Sequence, residues 1–333
     1  MRTGISATMS RRQVMSAAIA LGATLGLGVA PTIAQDATPA GERTVETLHG
    51  SVTVPANPQR LISLNFPITV ALLELGITPI GRTTYLPHFP EGHVSGDGIA
   101  LIDDAAGDLD LEKIVSLKPD LIIGDDWLDP ERQTTPYEEL TAIAPTLIFE
   151  WKMAGGNWDV EAAGTAEAIG KTAELDAQRD AYLQLAADVQ AEHADTLAAF
   201  TWDVISGGSG NWFLYSATSS HGKVAATAGV TFNAAADQTD GFLQCSYEQF
   251  DLLKDTDAIL MSADSAELMD VATFASLPAV QAGRVFTTEF FFPSSYGLSA
   301  ALLADVVKGL DALGGSRNVT DAGAVTSLTA PRR

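Results

Sequence analysis

The sequence predicts an α/β fold of two lobes, each a mainly parallel sheet flanked by helices, joined by one long rigid helix. Three observations predict it. First, the phrase from Glu112 through Asp120 to Ile123 has an echo from Glu248 through Asp257 to Leu260. Each copy reads as an acid opening a short helix, with apolar residues at i and i+3 (Ile114 and Leu117; Phe250 and Leu253). An Asp then leads into an apolar run of the length of a buried parallel strand. Second, Leu175, Tyr182, Leu183, Leu185, Ala186 and Val189 recur between the copies at roughly helical spacing. Third, strand-like and helix-like runs alternate on both sides of that segment, which implies βαβ units.

The elements follow in order. Residues 1–34 carry a twin-arginine pattern at Ser10-Arg11-Arg12, a mild apolar stretch to Ala30, and small residues at Thr32 and Ala34 suited to cleavage. Export with cleavage is expected, to a periplasm or the outer face of the cytoplasmic membrane. Residues 35–42 predict a flexible lead-in, and the N-terminal α/β lobe spans 43–158. In it Ser51–Val54 predicts a strand, Leu61–Leu64 an apolar run, and Val70–Leu75 a helix closed by Gly76. A strand resumes at Ile80; after the first copy come a helix at Tyr137–Ile143 and a strand at Thr146–Phe149. Residues 159–197 predict the helical bridge, broken near Gly170. The C-terminal lobe, 198–314, starts with a strand at Thr201–Ile205, holds the second copy and a strand at Arg284–Thr288, and ends in the helix Leu298–Leu313. A polar tail fills 315–333.

Composition narrows the partners. An apolar content of 46% and a charged content of 18% belong to a globular chain, and 333 residues suffice for two cores. The formal charge is −23, and removing the leader with its three arginines leaves 16 basic against 42 acidic groups. Such a field repels phosphate backbones and argues against nucleic acid. Cys245 is the only cysteine, so there is neither a disulfide nor a lipid-acceptor cysteine after the leader; it is expected as a small buried apolar residue.

Several short segments, weak singly, are specific in their order. They are His49–Pro55 with Asn57–Ile62, Leu73–Gly81, Leu111–Ile123, Ile143–Thr146 and Gly283–Phe286. With them the chain resembles the extracytoplasmic solute-binding proteins of ABC importers for ferric siderophores, cobalamin and haem, over about residues 45–313. The resemblance implies two lobes on a helical joint, a ligand cleft between them, and modest closure. It implies that Glu112 and Glu248, one per lobe, dock in arginine pockets of the two transmembrane permease subunits. Their spacing on a stiff body suits a two-point electrostatic latch. The expected cargo is an iron(III)-siderophore, with no resident cofactor and a monomeric protein.

Ligands of α/β sheets sit beyond the carboxyl ends of strands. The loops there are aromatic: Arg82 and Tyr85; Trp127 and Arg132; Trp151 and Lys152; Trp212 and Tyr215 after Gly207–Gly210; and Phe290, Phe291 and Tyr296. Flat rings suit bulky amphipathic chelates, and the few cations suit a neutral or weakly charged one. Trp158 and Trp202 are expected in packing, as is at least one of Phe290–Phe292. Haem, held by His88, His93 or Tyr85, is an alternative. So is cobalamin, against which Ala106 stands where the family's cobalamin binders carry tryptophan. Direct metal binding lacks a converging His or carboxylate set. A serine hydrolase is the remote alternative, since Ser220-His221-Gly222-Lys223 matches S-x-x-K without its companion motifs.

Overall fold

A computed structural model describes residues 41–315, apart from 91, 105, 153–154 and 238–239. The export signal, most of the lead-in and the tail from 316 lie outside the described residues. The described residues open on a hairpin that the sequence reading missed in part: β1 (Glu42–Thr47) pairs antiparallel with β2 (Gly50–Pro55). Glu42, placed in the lead-in, is therefore already in a strand. Val45 and Val54 from the hairpin are buried in the first core.

Five strands then form a wholly parallel sheet. They are β3 (Leu61–Ser63), β4 (Gly81–Arg82), β5 (Ala100–Leu101), β6 (Leu121–Trp127) and β7 (Thr146–Trp151), in the order β5-β4-β3-β6-β7. Its helices are α1 (Phe66–Glu74), α2 (Leu111–Leu117), α3 (Tyr137–Thr141) and α4 (Trp158–Ile169). Helix α1 starts where Asn65 accepts a hydrogen bond from the Ile68 amide and Pro67 fills the first turn. Helix α4 ends at Gly170, whose φ of +72° suits glycine. The Arg43 guanidinium caps that end by donating to the Glu167 carbonyl at 2.7 Å. A Cβ at Gly170 would lie 2.7 Å from the same guanidinium.

After α5 (Thr172–Glu192) and α6 (Ala194–Ala199) a second sheet begins. It comprises β8 (Thr201–Gly208), β9 (Asn211–Tyr215), β10 (Thr231–Phe232), β11 (Phe242–Ser246), β12 (Ala258–Ser262) and β13 (Val285–Thr288), in the order β11-β9-β8-β12-β13 with β10 beside β8. Strands β8, β10, β12 and β13 run parallel, whereas β9 and β11 are antiparallel additions. The helices are α7 (Ser220–Thr227), α8 (Ala234–Asp237), α9 (Ala272–Ala275), α10 (Pro278–Gln281) and α11 (Tyr296–Gly315). Gly207–Gly210, expected to lead into a ligand loop, instead belongs to the β8–β9 hairpin. Ser209 and Gly210 both take positive φ there, the two-residue turn that matches strand twist.

Each sheet carries cores on its two faces, and the sheets with their cores form the two lobes. Helix α4 packs on α1, β1 and β7, so it covers the first sheet rather than bridging. Helix α5 is the element that joins the cores. Its Leu175 lies in the first core, and its Tyr182, Ala186 and Val189 lie in the second, against α11. Among the described residues no helix is long and apolar enough to cross a membrane.

The repeated phrase has one physical meaning in both lobes. Asp120 sits just before β6 and accepts hydrogen bonds from the Gln59 and Arg60 amides, both at 2.8 Å, at the start of β3. Asp257 sits just before β12 and accepts from the Thr201 amide at 2.8 Å and its hydroxyl at 3.0 Å, at the start of β8. In each case a carboxylate pins the neighbouring strand where its ladder begins. Arg60 adds a bond to the Lys118 carbonyl at 2.8 Å, closing the end of α2. The copies differ in the helix: the first is α-helical over 111–117, the second a 3₁₀ helix over 247–253 opened by a Ser246–Gln249 capping box. Glu112 and Glu248 are exposed in the first turns of these helices.

Asp120→Ala and Asp257→Ala are each expected to lower unfolding free energy by about 1–3 kcal/mol, with smaller losses for the Asn variants. Urea unfolding, with the midpoint shifting at constant slope, checks this.

Candidate ligand-binding site

The carboxyl ends of β6 and β7 lie side by side, and Trp127 and Trp151 are register partners there. Their rings meet edge to face with centroids 6.5 Å apart. Facing them from the second lobe are Ala217 and Thr218 just before α7, Lys223 within it, and Asp240. The space enclosed is about 750 Å³, with Asp129, Glu150 and Lys152 completing its walls. A smaller chamber of about 200 Å³ shares Trp151 and is lined by Phe66, Tyr85, Trp158, Ser220 and Phe292. Together they have the size and aromatic character of a site for a bulky small molecule.

Buried carboxylates shape these walls. Asp126, 5% exposed, accepts hydrogen bonds from the amides of Trp127 (2.9 Å), Thr134 (3.0 Å) and Thr135 (2.8 Å). It therefore folds the loop 127–135 back on itself, and Arg132 lands over the Trp127 ring at 3.8 Å. Asn157 does the same for the exit of β7, accepting from the Lys152 amide at 2.9 Å and donating to the Glu150 carbonyl. Asp125 of β6 and Glu161 of α4 form a buried pair close to Asn65. Burial pushes Asp125 up to about 7, with the Asp126 charge adding to it, and pushes Glu161 well above the usual carboxylate range. Burial therefore favours the protonated, uncharged forms of both carboxyls.

Two polar ties cross between the lobes. Lys223 of α7 bonds Asp159 of α4 at 2.8 Å within the cleft. On the far side Glu74, at the end of α1, accepts from the Gly297 amide at 3.2 Å at the start of α11. Gly297 leaves room for that approach, since a Cβ there would lie 2.5 Å from the carboxylate.

The structure brings some predicted residues together and not others. Trp127, Trp151 and Lys152 line the main cavity, Arg132 covers Trp127, and Tyr85, 63% exposed, lines the smaller chamber. Arg82 does not line either: its guanidinium donates to the carbonyls of Thr83 (2.8 Å), Thr84 (3.1 Å) and Gly96 (3.3 Å) and staples its own loop. Trp212 is 0% exposed, stacked on Phe250 at 5.0 Å, with its indole donating to the Ser246 carbonyl at 2.8 Å. It is a core residue, because 211–215 is a central strand rather than a loop. Tyr215, on the other face of β9, is buried against Phe291 and hydrogen-bonds Ser206 at 3.0 Å.

Phe290 is half-buried against His93 at 4.7 Å, and Phe291 is buried and stacked on His221 at 4.1 Å. Phe292 reaches the smaller chamber instead, turned there by a φ of +57° that breaks strand alternation. Tyr296 sits in the seam between Trp158 (5.0 Å) and Tyr182 (5.9 Å), on a separate recess of about 400 Å³. Trp158 and Trp202 are core residues, and Cys245 is buried. Sequence reasoning named Phe292 in that aromatic loop but favoured Phe290 and Phe291 for the site, and it missed Phe66, Asp129 and Asp240. It noted Lys223 only as part of S-x-x-K; its amine is held by Asp159, and Ser220 contacts His221 at 3.3 Å. Among the described residues no three His, Cys, Asp or Glu gather to hold a metal ion.

The pattern of the periplasmic binding protein family matches residues 101–290, more than half of the chain. The chain belongs to that family. A probable siderophore-binding lipoprotein of Bacillus subtilis is 36% identical over 132 residues, 39% of each chain. An Fe(3+)-citrate-binding protein of the same organism is 26% identical over 255 residues, 74% of this chain and 78% of that one. The chain spans about two fifths of the length of the first two curated relatives, 39% and 41%. Among solved structures, the siderophore periplasmic binding protein from the fuscachelin gene cluster of Thermobifida fusca aligns with a TM-score of 0.68 at 24% identity, over 78% of this chain and 98% of that one. Staphylococcus aureus SirA, complexed with staphyloferrin B, aligns with a TM-score of 0.65 at 20% identity, over 81% and 98%. Both share the fold described above.

The Asp125–Glu161 pair gives a signed pH prediction. Carboxyls raised on folding bind more protons folded than unfolded, so their contribution is fully present below about pH 4 and is lost as pH rises through about 7. The Asp125→Asn/Glu161→Gln double variant is expected to melt higher than the parent at pH 8 and to lose that advantage at pH 4, as read by thermal unfolding across pH.

Proposed function

We propose that the protein is the solute-binding component of an ABC importer, capturing an iron(III)-siderophore in the cleft and delivering it to the permease. The observation that carries this is the Trp127–Trp151 corner at the mouth between two lobes, in a chain of this family. Aromatic walls give a chelate large contact area at little side-chain entropy cost, while the few polar groups orient it. The siderophore and ferric citrate named for its relatives support iron chelates as the class. The twin-arginine leader supports export and action outside the cytoplasmic membrane. The protein works by binding alone, without chemistry of its own, and as a monomer.

Glu112 and Glu248 are the proposed docking points. Each is exposed in the first turn of its helix, one per lobe, where a guanidinium of a permease subunit can reach it. Glu112→Arg and Glu248→Arg are expected to abolish chelate-dependent iron uptake in cells while leaving chelate binding by the purified protein intact. Equal loss of both would point to a folding defect and remove the docking role.

Ferric chelates are expected to quench tryptophan emission, and Trp127→Ala or Trp151→Ala to weaken binding about tenfold each, or about 1.4 kcal/mol. Absence of quenching and of any mobility or melting shift with every ferric chelate tried would overturn the assignment.

A further inference from the structure

The charges around the cleft narrow the class of chelate, given the reading above that the cargo is a ferric siderophore. The main cavity is walled by three carboxylates, Asp129, Glu150 and Asp240, and by two amines, Lys152 and Lys223. One of the amines is already engaged, since Lys223 holds Asp159 at 2.8 Å across the cleft. The guanidinium that would best suit an anionic chelate, Arg82, is spent on three backbone carbonyls of its own loop. Arg132 is laid over Trp127 rather than pointed into a socket of donors. Around this sits a protein whose formal charge of −23 sends the same sign of field into any opening.

We propose that the cargo is a ferric chelate without net negative charge, of the tris-hydroxamate type, neutral or carrying a pendant cation. Three singly charged hydroxamates cancel the ferric charge, and their alkyl linkers match the aromatic lining supplied by Trp127, Trp151 and Phe292. Tris-catecholates and citrate leave the ferric centre with surplus negative charge. Such a ligand would face Asp129, Glu150 and Asp240 and would have to pull Lys223 from Asp159, with loss on both counts. A pendant ammonium meets the opposite situation, with three carboxylates in the wall.

The test is a fluorescence titration of the purified protein with four probes: a neutral ferric tris-hydroxamate, its amine-bearing positive counterpart, ferric citrate and a ferric tris-catecholate. The neutral and positive probes are expected to bind about a hundredfold or more tighter than either anion. Affinity for the neutral probe should be flat with added salt, because screening acts on net charge. Glu150→Gln with Asp240→Asn should shrink the gap between neutral and anionic probes by about tenfold, with folding checked by thermal melting. An anionic chelate binding tightest would overturn this inference and leave the ferric-siderophore function standing. Failure of all four probes would overturn both.

Discussion

The architecture depends on one constraint: a single helix must have its two ends in different hydrophobic cores. Helix α5 puts Leu175 into the first core and Tyr182, Ala186 and Val189 into the second. The lobes thus cannot separate without exposing apolar area at one end of the helix, and burial of such area is the main force that stabilises a fold. The helix boundary that makes this possible is a local event. Gly170 turns the chain with a positive φ, and Arg43 from the opening hairpin satisfies the carbonyl end of α4. Once the spacing is set, Lys223–Asp159 in the cleft and Glu74–Gly297 on the far side have fixed partners across the seam.

The cleft shows how much of a binding surface is determined behind it. Trp127 and Trp151 face the cavity because buried side chains hold their loops: Asp126 ties 127–135, and Asn157 ties the exit of β7. Beneath them Asp125 and Glu161 occupy the interior, where burial favours their protonated forms. An aromatic wall backed by buried carboxyls is costlier to fold than one backed by a wholly apolar interior.

Much of this was legible in the sequence, and what was not has physical causes. The alternation of strands and helices, the long helix, and the echo of Glu112–Asp120 in Glu248–Asp257 could be read from periodicity alone. So could the placement of Trp127, Trp151 and Lys152, since residues beyond the ends of buried parallel strands face a cleft. Trp212 and Tyr215 misled because the hairpin turn at Ser209–Gly210 made the following segment a strand, with Trp212 in the core on one face of the sheet and Tyr215 in the core on the other. Arg82 misled because the reach of its side chain to Thr83, Thr84 and Gly96 depends on a loop fold with no sequence period. Phe292 was hidden by its left-handed backbone, which strand alternation does not anticipate. Lys223 and Asp240 come from the second lobe and enter the site only through tertiary packing.

Asp120 and Asp257 have a bearing on how such a protein can change. Each fastens neighbouring strands at the end opposite the aromatic mouth, so the parts that secure folding and the parts that line the cleft lie at separate ends of the same sheets. Mutations at the mouth are thereby insulated from assembly of the body. The rim can be rewritten residue by residue while the foundations of both sheets stay untouched.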